Sequence, residues 1–340
     1  MSLFPKVGRK QPGVRLSRGA VIGFLGLGVL LHLLPFYFMI VTSLKPASEV
    51  LAFPPSLWPH DFNTSAWKLV VGIASGSAKV SALMDEPFIV YFLNSIFITI
   101  VAVGIGMPVT SLAAYANSKL QRGRGARFSF LFFIGTMMVP FIVTLIPTYL
   151  LTLNFPFPLP QVPSIPGTDL EFPSVRIWDT PWAVIVPAIY VPFSFLLFKG
   201  FFDTIPDSVI NAARVDGGSE LNIFRRIVVP MAIPVYAVAA YLNFGSVWDN
   251  FLWQLVVLQS PEKLTTSVAI YQLMDKFTQA GATNGEQANA QSDAMREVLA
   301  AGLSWNGLMV LGLLQTLPVF IAFIVCRRYI LRGVRIRGLK

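Results

Sequence analysis

Long apolar runs, separated by short polar segments rich in arginine and lysine, dominate this chain. A helix needs about 20 mostly apolar residues to cross a bilayer. Six stretches reach that length: Ala20–Thr42, Phe88–Ala114, Phe128–Leu151, Pro181–Phe202, Val235–Leu258 and Trp305–Tyr329. A closed β-barrel would instead show short segments of alternating polarity, which are absent. The predicted fold class is an all-α membrane protein, one domain over residues 1–340 with six transmembrane helices. Ala20–Thr42 is too long for the apolar core of a cleaved signal, and no small-residue cleavage site follows, so it reads as the first membrane helix.

Composition agrees. Hydrophobic residues make up 54% and charged residues 13%, against about 25% charged in a soluble domain. The net charge of +9 would suit a nucleic-acid partner, but its distribution points elsewhere. When the segments between spans are assigned alternately to two sides, nineteen of the 26 basic residues fall on the side of the N-terminus, with only Asp203, Asp207, Asp216 and Glu220 as acids there. That bias places both termini and the Ile205–Pro230 segment in the cytoplasm. The basic excess is a record of topology, and no nucleic-acid partner is needed to explain it.

The polar segment 205–230 reads as two short helices around a glycine turn. Thr204 is placed to cap the first, Pro206 suits its first turn and Asp207 adds a favourable charge there. Gly217 suits the left-handed conformation that ends a helix, and Ser219 is placed to cap the second. Ala212 and Ala213 would let a partner approach closely. On the opposite side lie two insertions, 154–180, rich in proline, and 272–304, rich in Gly, Gln, Asn and Ala, with a helical pattern over Ser292–Ala301. Either they are plain connections or they dock an extracytoplasmic partner.

The spacing Asn211-Ala212-Ala213, three residues, Gly217, nine residues, Ile227-x-x-Pro230 resembles the coupling loop of ABC importer permeases. That family writes Glu-Ala-Ala-x3-Gly-x9-Ile-x-Leu-Pro, so Asn211 and Val229 depart from it. Further matches are collinear: Ser43-Leu44-Lys45-Pro46-x-x-Glu49, Pro54-Pro55, Trp58-Pro59, Asn94-Ser95, Ala113-Ala114-Tyr115-Ala116, Met138-Val139-Pro140, Ile146-Pro147-Thr148-Tyr149, Trp248-Asp249-Asn250-Phe251-Leu252-Trp253 and Gln315-Thr316-Leu317-Pro318-Val319. The pattern is similar to the smaller permease subunit of maltose-type carbohydrate importers and covers nearly the whole chain, except the two insertions and the tail Arg332–Lys340.

The resemblance implies a type I importer permease in the cell (inner) membrane, moving a di- or oligosaccharide delivered by an extracytoplasmic substrate-binding protein. It implies a second permease subunit and two ATP-binding subunits, with ATP and Mg on those partners and no cofactor in this chain. The coupling loop would comprise Ile205, Pro206, Asp207, Asn211, Ala212, Ala213, Asp216, Gly217, Phe224, Ile227 and Pro230.

The residues themselves offer little bond-making chemistry. No Gly-Lys dipeptide occurs, so there is no Walker loop. Gly104-Ile105-Gly106 lies in a span, where helix packing explains it. His32 and His60 are far apart and Cys326 is alone, which argues against a metal site or a disulfide framework. The chain is read as a transport subunit, not an enzyme. Asp249 is the one acid inside a span, and such groups usually face a cavity or the bundle interior. With Trp248, Asn250, Trp253 and Tyr149 it is a candidate substrate pathway; alternatively it sits at the outer interface with the tryptophans as an anchoring belt. A rival reading is an ATP-independent secondary transporter or channel, which would call for internal repeats and more intramembrane charge.

Overall fold

A computed structural model of the chain describes residues 12–50, 52–74, 85–156, 175–282 and 304–336. Those residues are almost wholly helical, with only an isolated bridge between Phe155 and Val175. The helices are α1 (Pro12–Ser43), α2 (Ser65–Ala74), α3 (Phe88–Leu120) and α4 (Gly123–Met138), α5 (Phe141–Leu153), α6 (Pro181–Ala188), α7 (Pro192–Phe202), α8 (Asp207–Val215), α9 (Glu220–Met231), α10 (Ile233–Trp248), α11 (Phe251–Val257), α12 (Thr266–Ala282) and α13 (Trp305–Ile336).

Among the described residues, Gly13–Ser43, Phe88–Leu120, Pro181–Phe202 and Trp305–Ile330 are long and apolar enough to cross a membrane. Two bent pairs make the count six if each is one crossing: α4 with α5, at 102°, and α9 with α10, at 82°. The third expected span, 128–151, is thus broken. Val139 precedes Pro140 and takes extended backbone, because proline's ring excludes helical geometry from the residue before it. The expected fifth span, 235–258, is interrupted at Asp249-Asn250, where the Asn250 side chain accepts from the Trp253 amide and caps α11. The fourth, 181–202, breaks between α6 and α7. Pro192 has no N–H to give the carbonyl four residues back; the Thr110 hydroxyl donates to the neighbouring Ile189 carbonyl at 3.2 Å. A Cβ at Gly106 would stand 2.9 Å from that same oxygen, so α3 approaches the break only because this position is bare. The insertion expected from 272 begins inside α12; 157–174 and 283–303, including the helical pattern at Ser292–Ala301, lie outside the described residues.

The chain divides into two compact units. In the larger, Met84–Gln272 with Leu317–Arg337, α3 packs on α6, α7 and α10. Its interior is aromatic: Phe195, Phe198 and Phe202 are fully buried, with Tyr91 and Trp248 close to it. In hydrocarbon, helices gain little from leaving lipid, so this kind of ring packing and interhelical hydrogen bonding supplies the cohesion. Ser194 donates to Asn243 at 3.0 Å, and Tyr236 to Ser111 at 2.6 Å. At one end, the Asp179 carboxylate accepts from the Gln259 and Ser260 amides, the Ser260 hydroxyl and the Lys263 ammonium. Burial pushes that carboxyl up, but the four donors outweigh it and hold it below the usual carboxylate range.

The smaller unit holds α1, α2 and the beginning of α13. The buried Asn306 donates to the Lys45 carbonyl at 3.1 Å, and Trp67 donates to the Ser43 hydroxyl at 3.2 Å. The first bond ties the segment after α1 to the first turn of α13, and the second ties α2 to the end of α1.

Candidate functional site

The polar segment 205–230 forms a helical hairpin. α8 ends in a Schellman motif: the Gly218 amide donates to Ala213 O at 2.9 Å and the Gly217 amide to Arg214 O at 3.0 Å. Gly217 sits at φ +81°, where a Cβ is disfavoured. A Cβ on Gly218 would meet the Ala213 carbonyl at 2.8 Å. Both glycines are therefore required by the turn. α9 then passes through a π-helical turn at Phe224–Val228. Neither expected cap forms a side-chain bond to its helix. Thr204 donates back to Phe201 O at 2.6 Å, leaving Pro206 at the cap position of α8, and Ser219 holds the cap position of α9 without a side-chain bond.

One face of the hairpin is fastened to the bundle. Ile205, Ile210, Ile223, Phe224 and Val228 are buried in one cluster with Tyr115, Phe198 and Phe202. The Phe224 ring lies 5.2 Å from that of Tyr115. Polar ties reinforce it. Lys119 Nζ, on the last turn of α3, donates to Ile205 O at 2.7 Å and Asp207 Oδ1 at 2.8 Å. The Lys119 ammonium holds the Asp207 carboxyl below the usual carboxylate range. Arg214 Nε donates to Glu220 Oε1 at 2.6 Å across the turn, and the Tyr115 hydroxyl donates to Glu220 Oε2 at 2.8 Å.

The other face is open. Asn211, Ala212, Asp216 and Gly217 are exposed, as are Val215 at 88% and Leu221 at 65%. Ala213 and Ile227 are partly covered and Pro230 is exposed. The Asn211 side-chain oxygen accepts from Arg214 Nη1 at 3.0 Å, so this residue is drawn into the Arg214–Glu220 pair.

The second candidate cluster is arranged differently. Trp248 is 1% exposed, stacked on Phe244 at 5.8 Å and edge-on to Phe92 at 5.8 Å. Trp253 is 3% exposed and donates to Ala183 O at 3.1 Å. Within this chain neither ring has a free face to offer a solute. Asp249 is exposed, and Asn250 and Tyr149 are partly so. Among the described residues no group of three His, Cys, Asp or Glu could hold a metal ion.

Residues 106–336 match the profile of the binding-protein-dependent transport system inner membrane component family. The chain belongs to that family. It is thus a multi-pass membrane component of a transport system. Among its relatives, the arabinooligosaccharides transport system permease protein AraQ of Bacillus subtilis is 24% identical over 338 residues, 98% of this chain and 99% of that one. The inner membrane ABC transporter permease protein YcjP of Escherichia coli is 25% identical over 324 residues, covering 94% and 96%. Among solved structures, a chain of a bacterial ABC transporter involved in import of the acidic polysaccharide alginate superposes with a TM-score of 0.67, at 21% identity, over 94% of this chain and 98% of that one. This likeness establishes the fold.

The hydrogen bonds of the hairpin bring in residues that the motifs do not contain or do not single out. Tyr115, Lys119, Arg214 and Glu220 carry the polar ties of the hairpin, yet in the sequence they register only as part of an alanine-rich motif or as topology-setting charges. One signal was available: Glu220 is one of only four acids on the basic side.

Proposed function

We propose that this chain is one of two membrane-spanning permease subunits of an ATP-driven importer. Its cargo is a carbohydrate, a di- or oligosaccharide, delivered by an extracytoplasmic binding protein. Six spans result when each bent pair counts as one crossing, with α10 the crossing arm of the second pair and α9 left in the hairpin. The charge bias puts both termini and the 205–230 hairpin in the cytoplasm. ATP and Mg are held by two partner ATPase subunits. The sugar class is supported by the arabinooligosaccharide relative and by the alginate importer of like fold.

One observation carries the coupling role: the hairpin is fastened on one face and bare on the other. Val215 and Leu221, left exposed on a polar segment, would each contribute roughly 1.5–3 kcal/mol when covered by a partner. Force applied there reaches α3 through the Phe224–Tyr115 contact and the Lys119 and Glu220 ties, and α7 through Phe198 and Phe202 in the shared buried cluster. Nucleotide drives the change only if the ATPase contacts this face differently in its two states. Asp249, Asn250 and Tyr149 are the pathway candidates with exposed surface; Trp248 and Trp253 support the wall from behind.

The test is a cysteine at Asn211 in a Cys326→Ser background, in cells making the whole transporter. A bifunctional crosslinker is expected to join it to an ATP-hydrolysing chain, with a yield that changes on adding nucleotide. Labelling of that cysteine by an impermeant reagent added outside intact cells would overturn the reading.

A further inference from the structure

We propose that the segment Phe53–Phe62, which follows α1, is an anchor in the membrane interface: it lies back along α1 at headgroup depth, with Phe53, Leu57, Trp58 and Phe62 against lipid. The inference rests on reading α1 as a crossing whose Ser43 end is outermost.

The decisive contact is at Tyr37. Its hydroxyl donates to the Leu57 carbonyl at 2.6 Å, so the chain, having left α1 at Ser43, has returned to the level of Tyr37. Six residues of helix separate Tyr37 from Ser43, about 9 Å at 1.5 Å per residue. Helical side chains lean toward the N-terminus, so the hydroxyl lies no nearer the outer end than its own Cα. The apolar span Gly13–Ser43 has 31 residues and is therefore about 46 Å long. A bilayer is roughly 40–45 Å thick with its headgroups and about 30 Å without them. With Ser43 at the outer edge of the headgroups, the Leu57 carbonyl lies near the boundary of the hydrocarbon.

The chemistry of the segment suits that depth. Phe53 is 94% exposed, Leu57 65%, Trp58 60% and Phe62 63%, a concentration of large apolar groups that is unusual on a watery loop. Trp58 and Phe62 meet edge-to-face at 5.7 Å, and aromatic side chains favour the interface. Backbone polar groups become costly as water thins out. Three prolines and three side-chain partners lower that cost here, and the remaining amides and carbonyls call for the hydrated headgroup layer, not the hydrocarbon. Pro54, Pro55 and Pro59 have no N–H. The Leu57 carbonyl is taken by Tyr37, and the Ser56 carbonyl by the buried Lys45 ammonium at 2.6 Å. Glu49 accepts from the Ser56 hydroxyl and, at 3.2 Å, from the His60 amide. Three side chains thus pin the segment in a shape that turns its apolar groups outward.

Cys326 is the chain's one cysteine, so spin labelling tests this directly. In a Cys326→Ser background, nitroxides are placed singly at Phe53, Leu57, Trp58, Asp61 and Leu27. The whole transporter is reconstituted in phosphatidylethanolamine–phosphatidylglycerol vesicles, and collision rates with oxygen and with a water-soluble nickel chelate are measured. Leu27, exposed midway along α1, reports the crossing itself, and Asp61 is the polar reference. The proposal expects the oxygen-to-nickel ratio at Leu57 and Trp58 to exceed that at Asp61 several-fold and to stay below that at Leu27. Label at Phe53 gives the same result should either of those variants fail to fold. A ratio equal to that at Asp61 means a watery loop and overturns the proposal. Low collision with both reagents means that another protein covers the patch, which also overturns it. A polar ratio at Leu27 would remove the crossing on which the proposal rests, a failure distinct from the other two.

Discussion

The hairpin at 205–230 and the turn at 248–254 both drew attention through clusters of polar, small or aromatic residues, and they end up with opposite exposures. In the hairpin, the apolar positions Ile205, Ile210, Ile223 and Phe224 go inward and leave Asn211, Ala212, Val215 and Leu221 bare. In the turn, the two tryptophans that looked suited to a sugar ring are consumed by packing, and the exposed positions are Asp249, Phe251 and Leu252. A motif names residues that matter together, but it does not say whether they face a partner or hold one another. Spacing alone resolves that for a short amphipathic helix at the surface, where periodicity separates the two faces. It does not do so inside a bundle that is apolar all round.

The largest expected effect tests the buried half of that comparison. Trp248→Ala should destabilise the larger unit by about 3–5 kcal/mol, the range for emptying a large aromatic site. The yield of folded protein in detergent should fall sharply, while any surviving transporter keeps its preference among sugars. A changed preference with normal yield would mean that the ring does reach the solute.

Next come the two glycines of the exposed half. Gly217→Val puts a β-branched residue at φ +81°, and Gly218→Ala places a methyl 2.8 Å from the Ala213 carbonyl. Each should cost roughly 1–3 kcal/mol locally, enough to open the turn without unfolding the spans. In reconstituted vesicles, ATP hydrolysis should persist while sugar uptake per ATP drops several-fold. Unaltered coupling in both variants would remove the hairpin from the mechanism.

The smallest effect concerns pH. Asp207 titrates below the ordinary carboxylate range because of Lys119. A depressed pKa in the folded state contributes stability that is complete above the unfolded value, near 4, and is lost as pH falls through the folded one. Acid unfolding of the hairpin, followed by hydrogen exchange at the α8 amides, should therefore begin below that point. Asp207→Asn should flatten this dependence while leaving exchange near neutral pH only slightly faster, since the carboxylate is well exposed and such pairs are weak.

Much of this molecule was legible in advance. The all-helical class follows from apolar runs too long for anything but a crossing. The turn at Gly217 follows from a glycine placed directly after an amphipathic run, and its left-handed backbone agrees. Proline marked the break at Val139-Pro140 and the one before Pro192, because its ring restricts the preceding residue and its missing N–H removes a helical bond, both local defects visible in the sequence. Pro147 and Pro187, equally prominent, stay inside α5 and α6. A neighbouring helix can satisfy what proline leaves open, and no local reading reveals which prolines have such a neighbour.

What the chain determined by itself was therefore local and one-dimensional: where it is apolar, where it turns, and which face of a short helix is wet. The tertiary structure alone decided the bends of 102° and 82° and the pairing of Lys119 with Asp207 and Tyr115 with Glu220. It also decided the burial of Trp248 and the return of Leu57 to Tyr37. Apart from the bends, these join groups distant in the chain, and their energies depend on distance and on exclusion of solvent. Those quantities take definite values only once the helices have packed.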